Sequence, residues 1–355
     1  MRVLVTGAAG FLGRHVVAEA TARGHRVRAL VRPAAGPALP AELAHELVEP
    51  ARADLRAARG LDEVLAGVDV VVHTAASKSG DMYAQYAGTV VATENLLGAM
   101  DRAGVRAIVA ISSFSVYDFG ARWAWSRLDE ASAVERDTRR RDEYCHTKLA
   151  QERLIRAHAS ARGWRCVTLR PGVIWGRGNL WTARLGARGE RTWLRIGALA
   201  PLPLTYVENC AQAVVLAAER IGPAGTPEQG PAAAPREGLD LVLNVVDDER
   251  PPQARYARAV RAIEAPGARA VLIPWRVVLA LAWAAVATNR AILGGRAKLP
   301  GVLVPARVHA RFKPLRYDNT RIRRELGWRP RYRFAEALAR VAAPPALSTG
   351  SGEAR

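Results

Sequence analysis

The chain has 355 residues and a formal net charge of +19, and 48 of its 52 basic residues are arginine. Its length permits one large or two unequal domains, and its three scattered cysteines indicate reduced thiols, without metal-ligand spacing. The arginines are spread along the chain without a nucleic-acid-binding motif, so we expect no specific nucleic-acid partner. The first strand begins at the N-terminus and leaves no room for a signal peptide, which predicts a cytoplasmic protein.

A strand, a glycine turn and a helix open the chain. Arg2–Thr6 has the composition of a buried strand, glycines follow at intervals of three, and 11–23 has helical periodicity. Such a turn presents backbone N–H groups and the positive end of a helix to a phosphate. Gly7 would permit the tight turn, Gly10 a close approach to a pyrophosphate, and Gly13 close packing of the helix. A glycine turn that binds nothing has the same pattern. The predicted cofactor residues of this turn are Gly7, Gly10, Phe11, Leu12 and Gly13.

The second strand, predicted over Arg26–Val31, ends at Arg32. In a dinucleotide-binding fold the residue at this strand end meets the adenosine ribose, where a carboxylate suits the 2′-hydroxyl and an arginine suits a 2′-phosphate. Arg32 therefore favours NADP as the cofactor. NAD is the alternative, because a solvated surface arginine would give the same pattern.

Another apolar strand, predicted over 68–73, closes in His73 and is followed by small residues. Small side chains such as Ala75 would let the backbone approach a cofactor. A histidine at the end of a buried strand is more often structural than catalytic, and we interpret His73 in that way. Helical periodicity then predicts a helix over 83–103.

The candidate catalytic residues follow a strand predicted over 105–111. Ser113 lies just after that strand, and Tyr144 and Lys148 open a helix predicted to run to about Arg162. Tyr and Lys four residues apart share one helix face, and an ammonium beside a phenol would lower the pKa of the phenol. Tyr144 would then donate or accept a proton, and Ser113 would stabilise charge on a substrate oxygen. Lys148 could also hold the nicotinamide ribose.

A late apolar segment covers 271–293, and its centre, 277–288, carries no charge. An uncharged run of 12 residues is too short to span a bilayer. The segment is either a core or lid helix, or an interfacial helix that makes a peripheral membrane contact. Trp275 and Trp283, with arginines around them, would suit an interface.

These motifs together resemble the extended short-chain dehydrogenase/reductases over nearly the whole chain. The glycine turn has the pattern Thr-Gly-x-x-Gly-x-x-Gly of that group, and Tyr144-x-x-x-Lys148 matches its catalytic pair. The resemblance implies a Rossmann-type doubly wound parallel sheet, which the alternation of strands and helices through about residue 170 also predicts. Later segments similar to family elements are 170–178, 206–211, 243–249, 317–320 and 326–330.

The resemblance implies further contacts with the cofactor. Asp54 and Leu55 match the positions that contact the adenine, and Pro171 and Val173 match those that line the nicotinamide. Thr89 occupies a position at which the family often has asparagine, so the role of that asparagine is in doubt here.

The resemblance also separates subfamilies. Sugar-nucleotide epimerases and dehydratases commonly carry Arg-Tyr-x-Asn where this chain has Leu-Arg-Pro-Gly at 169–172, and the asparagine is missing. Members that act on steroids and other hydrophobic alcohols or ketones, like the 3-beta-hydroxysteroid dehydrogenases, match 206–209 better and tend to carry a late apolar segment. We therefore predict an NAD(P)-dependent oxidoreductase that interconverts a secondary alcohol and a ketone on a small hydrophobic substrate. The alternatives are a sugar-nucleotide epimerase or dehydratase, and an NADP-binding sensor without turnover.

The predicted organisation has a cofactor-binding domain at 1–177 and a mainly substrate-binding part at 178–342, with segments that return to the first domain. Residues 222–238 are rich in Pro, Gly and Ala and predict an exposed loop, and 343–355 predict a flexible tail. A homodimer is left open.

Overall fold

The computed structural model describes residues 1–33, 40, 43–189, 191–223 and 237–343. Most of the predicted loop at 222–238 and nearly all of the predicted tail at 343–355 lie outside the described residues. The strands have these bounds: β1 Arg2–Thr6, β2 Arg26–Val31, β3 Val48–Arg52, β4 Val70–His73, β5 Ala107–Ile111, β6 Arg127–Leu128, β7 Arg165–Pro171, β8 Val173–Trp175, β9 Gly186–Arg188, β10 Thr192–Ile196, β11 Leu204–Tyr206, β12 Asp240–Val245, β13 Arg269–Ile273 and β14 Arg316–Tyr317.

Helices cover both faces of the central sheet. Their bounds are α1 Phe11–Ala22, α2 Leu61–Leu65, α3 Met82–Tyr86, α4 Ala92–Ala103, α5 Glu143–Ala161, α6 Val207–Ile221, α7 Gln253–Glu264, α8 Trp275–Leu293, α9 Pro305–Phe312, α10 Thr320–Leu326 and α11 Phe334–Ala342. Helices α1 and α6 pack on one face, and α2, α4 and α5 pack on the other.

Seven parallel strands form the central sheet in the order β12-β7-β5-β4-β1-β2-β3. This order confirms the predicted doubly wound parallel sheet. Strands β2 and β3 lie on one side of β1, and the later strands, beginning with β4, lie on its other side. The order of strand addition therefore reverses between β1 and β4, and the loops that follow these two strands lie side by side. In folds of this kind the ligand crevice lies at the carboxyl ends of the strands, at such a reversal.

The two faces of the sheet explain why its strands read as uninterrupted apolar runs. Val3 and Val5 of β1 belong to the core that contains α1 and α6, whereas Leu4 belongs to the core that contains α2 and α4. Successive side chains of a strand point to opposite faces, so a strand covered on both sides needs apolar residues at every position. The core residues are close to fully buried on both sides.

One predicted helix is interrupted. The helix expected over 83–103 consists of α3, a π-helical turn at Ala87–Val91 and α4. Thr89 lies buried inside this turn, and its hydroxyl oxygen accepts a hydrogen bond from the Ser77 amide at 3.0 Å. Turns of this kind often occur at functional sites. Thr89 therefore ties the helix to the loop that follows β4.

The late apolar segment differs from its prediction in two respects. Helix α8 has 19 residues, about 28 Å at 1.5 Å per residue. The expectation that the segment is too short to span a bilayer counted only its uncharged centre and is wrong for the length of the whole helix. By length and composition alone the helix could cross a membrane, and only 17% of its most apolar window is buried. The core-helix interpretation is therefore wrong for a single chain.

A buried ion pair joins α5 to the central sheet. Arg170, near the end of β7, and Glu152 of α5 form an ion pair with side-chain exposures of 4% and 3%. The Arg170 Nε group donates to Glu152 at 3.1 Å, and the Ser112 hydroxyl donates to the same carboxylate. Burying two charges is tolerated when each is paired and hydrogen-bonded in this way. The pair therefore fixes α5 relative to the ends of β5 and β7.

Arg170→Leu should destabilise the fold strongly, because it leaves the Glu152 carboxylate buried without its cation. We expect the free energy of unfolding to fall by about 3–5 kcal/mol, measured by urea denaturation. Arg156→Leu is the matched control: Arg156, on the same helix, pairs with Asp240 at a site where the two side chains are 39% and 35% exposed. The free energy of unfolding of Arg156→Leu should fall by less than about 1 kcal/mol. Similar losses for the two variants would contradict a structural role for the buried pair.

Candidate active site

The glycine turn after β1 has the geometry of a phosphate cradle. Gly7 has a φ of +67°, which side-chain-bearing residues rarely adopt. A Cβ on Gly13 would lie 2.1 Å from the Gly7 carbonyl oxygen, so only glycine lets α1 pack on the turn. Gly10 is the N-cap of α1, and no acidic residue stands in the first helical turn. The N-terminus of α1, which includes Phe11 and Leu12, therefore fits an anionic pyrophosphate.

The adenosine end of the crevice is flanked by arginines. Arg32 is exposed at the end of β2, and the Asp54 carboxylate is held by Arg56 through contacts of 3.0 and 2.6 Å. The hydrogen bond from Arg56 holds the pKa of Asp54 below its usual value, and the charge of Arg32 acts in the same direction. Leu55 is buried beside them. This end of the crevice thus carries positive charge close to the predicted ribose and adenine contacts.

Ser113 and Tyr144 are brought together although 30 residues separate them in the chain. Ser113 follows β5 and caps a short 3₁₀ turn, where its Oγ accepts from the Ser115 amide at 3.1 Å. Tyr144 stands in the first turn of α5, whose N-cap Asp142 accepts from the Cys145 amide. Ser113 lies near enough to the Tyr144 hydroxyl to lower the pKa of Tyr144 as a polar partner. The pair lies at the carboxyl edge of the sheet, where β5 ends and α5 begins.

The pKa of Tyr144 differs from the prediction. Burial raises the pKa of Tyr144 above its usual value, and only Ser113 opposes this effect appreciably. The expected lowering of that pKa by Lys148 is wrong for this structure, because the Lys148 ammonium points elsewhere. Its Nζ donates to the Ile111 carbonyl oxygen and, at 2.6 Å, to Gln151 Oε1.

Lys148 is itself strongly perturbed. The side chain is 3% exposed. Burial lowers the pKa of Lys148 to about 7, the nearby charge of Lys78 lowers it further, and Glu152 opposes the shift. A lysine with a pKa near neutrality is able to take part in proton transfer at ordinary pH.

Gln151 connects Lys148 to a buried polar network. Its Oε1 faces Lys148, which can only donate, so its Nε2 faces the Thr93 hydroxyl at 2.9 Å and His73 Nε2 at 3.1 Å. His73 Nε2 also lies 2.9 Å from the Thr93 hydroxyl, and His73 Nδ1 lies 2.8 Å from the Thr6 hydroxyl, so both ring nitrogens have polar partners. Burial lowers the pKa of His73 to about 3, so the ring is neutral. This arrangement agrees with the structural interpretation of His73.

The loop after β7 closes the predicted nicotinamide end. Pro171 is buried at the end of β7, and the Val173 amide opens β8 by donating to the Pro203 carbonyl oxygen at 2.6 Å. A Cβ on Gly172 would lie 2.1 Å from that same oxygen, so the backbone here excludes any side chain. Ala75, on the loop after β4, packs against Gly7 and donates its amide to Thr6 Oγ1 at 3.3 Å.

Sequence reasoning missed two residues close to Lys148. Gln151 stands three residues after Lys148 on α5, on the same helix face, so the helical spacing could have indicated it. Lys78 follows the small residues after β4, and its closeness to Lys148 depends on a loop conformation that the sequence does not specify.

The fold and the placement of Ser113, Tyr144 and Lys148 define an extended short-chain dehydrogenase/reductase. Residues 3–229 match the sequence profile of the NAD dependent epimerase/dehydratase family. A 3 beta-hydroxysteroid dehydrogenase/Delta 5-->4-isomerase of Mycobacterium tuberculosis is 32% identical, covering 95% of this chain and 88% of the relative. A 3-beta-hydroxysteroid dehydrogenase of Mycolicibacterium neoaurum is 30% identical over 63% of each chain.

Solved structures agree on the fold. A UDP-galactose 4-epimerase superposes with a TM-score of 0.65 at 22% identity, covering 96% of this chain and 97% of the other. The chain belongs to the NAD dependent epimerase/dehydratase family. It is an NAD(P)-dependent oxidoreductase of the extended short-chain type.

Lys148→Met should change the pH dependence of stability. The unfolded chain keeps the lysine proton to about pH 10.5, whereas the folded chain releases it near pH 7, so the unfolded state binds more protons between these values. The free energy of unfolding of the wild type should therefore rise between pH 7 and about pH 9 relative to that of Lys148→Met. Urea denaturation at several pH values measures the difference. If the two proteins respond to pH in parallel, Lys148 keeps an ordinary pKa and the inference from burial fails.

Proposed function

We propose that the protein interconverts a secondary alcohol and a ketone on a hydrophobic, steroid-like substrate, with NADP as the preferred cofactor and NAD as the alternative. The observation that carries this proposal is that Ser113 and Tyr144 lie next to each other, one helical turn from a buried Lys148. A bound nicotinamide cofactor supplies or accepts the hydride. The protein side chains must then position the substrate oxygen and move one proton.

Tyr144 is the proposed proton donor in the reduction direction and the acceptor in the oxidation direction. Its hydroxyl is already oriented by Ser113, whose own Oγ is fixed by the Ser115 amide. A group held in place in this way pays little reorganisation cost when charge develops on the substrate oxygen. The high pKa of Tyr144 suits proton donation to a developing alkoxide. Lys148, with Gln151 and His73 behind it, is proposed to hold the cofactor ribose and to replace the proton.

Apolar and aromatic side chains on α3, a helix in contact with α5, support a hydrophobic substrate. Met82, Tyr83 and Tyr86 of α3 are 37%, 85% and 41% exposed, and α3 packs against α5, which carries Tyr144. Exposed apolar side chains at the edge of a crevice commonly bind an apolar ligand. The printed names of the relatives at 32% and 30% identity, both hydroxysteroid dehydrogenases, point to the same substrate class.

The chain lacks a residue that sugar-nucleotide epimerases and dehydratases commonly carry. An amide side chain would be expected in the Arg-Tyr-x-Asn run of such enzymes, whereas this chain has Pro171, Gly172 and Val173 after Arg170. Arg170 itself is engaged by Glu152 and stacks over the Tyr117 ring at 4.8 Å. These residues offer no polar group that would hold a second diphosphate, which favours the alcohol–ketone reaction.

Tyr144→Phe should abolish most turnover while the protein still binds its cofactor. In a screen of NADPH oxidation with ketosteroids, dihydroflavonols, aldehydes and nucleotide-sugars, we expect the wild type to reduce a ketosteroid or similar apolar ketone. The variant should lose about 10²–10⁴-fold in kcat and keep its affinity for NADPH in calorimetry. Tyr206→Phe, which removes a hydroxyl bonded to Glu208, whose carboxylate also pairs with Arg340 of α11, is the matched control and should keep kcat. Turnover of Tyr144→Phe within a few-fold of wild type would rule Tyr144 out as the proton-transfer group.

Arg32→Asp should reverse the cofactor preference. If Arg32 meets the 2′-phosphate of NADP, the variant loses a charge-assisted hydrogen bond and gains repulsion, so NAD becomes the tighter ligand. Calorimetric titration of both cofactors into both proteins measures this. Arg59→Asp, with the same charge change in the loop after β3, should leave the preference for NADP in place. Equal affinities of the wild type for NADP and NAD would contradict the role given to Arg32.

A further inference from the structure

Helix α8 and the strand before it expose a large apolar surface, here called the apolar patch. Its side chains are between 47% and 74% exposed, in a chain whose other apolar residues are mostly buried. Contiguous exposed apolar surface on a folded protein usually marks an interaction site. The members of the apolar patch are Leu272, Val277, Leu281, Trp283, Ile292 and Leu293.

The helix is attached to the protein along one face only. Val278, Ala282 and Asn289 are its buried residues, and they lie on one side at helical spacing. Val278 and Ala282 pack on Val308 and Phe312 of α9. The opposite side, here called the outer face, carries mainly alanines beside Trp283, and Val277 and Leu281 are exposed between the outer face and the buried side. Helix α8 has no acidic residue along its whole length.

All the charged residues in and around α8 are basic. From 265 to 317 the chain contains no aspartate or glutamate, whereas it contains nine arginines and lysines. The chain as a whole has 33 acidic residues in 355, so about five would be expected in a stretch of this length. Arg276 near the start of α8, Arg290 in its last turn, and Arg296 and Lys298 just after it are all exposed. The apolar patch is thus bordered by cations at both ends.

We propose that the apolar patch lies in the headgroup region of an anionic lipid bilayer. An apolar helix face with cations at its borders is what binds such a surface, because apolar area enters the interface while the cations meet lipid phosphates. The +19 net charge of the chain adds a long-range attraction to the same surface. Trp283, 55% exposed beside the outer face, has the amphipathic ring that favours the interface.

The packing of α8 favours a helix that lies along the membrane over one that crosses it. Strand β13, just before α8, pairs with β10 over five residues. At the other end Asn289 exchanges hydrogen bonds with Ala297, which turns the chain back towards the protein. A crossing helix would have to give up these attachments and its contact with α9.

Contact between the apolar patch and a bilayer would also bring the lipid close to the candidate active site. Arg307 of α9 donates to the Arg141 carbonyl oxygen at 2.7 Å, and Arg141 immediately precedes the N-cap of α5, which carries Tyr144. An apolar substrate dissolved in lipid would therefore be released next to the crevice. This consequence rests on the proposed function, whereas lipid binding itself does not, and the test below uses neither substrate nor turnover.

The first experiment measures binding of the full-length protein to vesicles by flotation. With vesicles of phosphatidylglycerol and phosphatidylcholine in equal parts, we expect binding at low salt that weakens at least ~10-fold near 0.5 M salt. Vesicles of phosphatidylcholine alone should bind weakly. Leu281→Glu combined with Trp283→Glu should lower the affinity for the mixed vesicles at least ~10-fold. Arg106→Glu, an exposed position ahead of β5 with the same total charge change, should bind like wild type.

Three results would overturn the proposal. These are no binding of the wild type to the mixed vesicles, equal weakening by Arg106→Glu, or retention on membranes after alkaline carbonate extraction, which would indicate a crossing helix. A dimer that the double variant converts to a monomer, without vesicle binding by either, would assign the apolar patch to a second copy of the chain instead.

A second measurement covers the case in which the double variant does not fold. Vesicles that contain brominated lipid should quench the tryptophan fluorescence of the folded wild type, and Trp283→Phe should remove most of that quenching. Circular dichroism and NADPH affinity establish that Trp283→Phe is folded. Quenching that is the same in both proteins would place Trp283 away from the lipid and contradict the proposal.

Discussion

The parallel arrangement of the central sheet determines where the chemistry of this protein lies. Seven strands run in one direction and are covered by helices on both faces, so every carboxyl end opens on the same edge. The glycine turn after β1, the loop after β4, Ser113 after β5 and Pro171 after β7 therefore meet, although more than 160 residues separate the first from the last. Helix α5 adds Tyr144 and Lys148 to that edge because the buried pair of Glu152 and Arg170 fixes it there.

Lys148 shows how burial, and not only the identity of neighbours, sets the chemistry of a group. In isolation an ammonium four residues from a phenol would lower the pKa of that phenol. In the folded chain the ammonium is turned away towards the Ile111 carbonyl oxygen and Gln151, and its own pKa falls to about 7. Tyr144 in turn keeps a raised pKa. For both groups the low dielectric of the buried site thus has a larger effect on the pKa than the charge of the other group.

The C-terminal part contrasts with the sheet in how it treats apolar surface. In the sheet almost every apolar side chain is buried, whereas α8 buries Val278, Ala282 and Asn289 and exposes most of the rest. Both regions are equally easy to recognise as apolar in the sequence. The difference lies in whether a second layer of structure covers them. Helix α8 is covered on one side, by α9, the turn at 301–303 and Ile196 of β10. An exposed apolar surface of this kind usually marks a site of interaction.

Residue order alone was enough to predict the fold class, the glycine turn and the candidate residues Ser113, Tyr144 and Lys148. These depend on local spacing and on strands whose apolar runs are long and uninterrupted, and such signals survive in one dimension. Only the tertiary structure shows that Lys78 lies near Lys148, that Glu152 pairs with Arg170, and that α8 is exposed. These facts depend on contacts between residues that are distant in the chain and on which element covers each face of a helix. Local sequence patterns do not specify either of them.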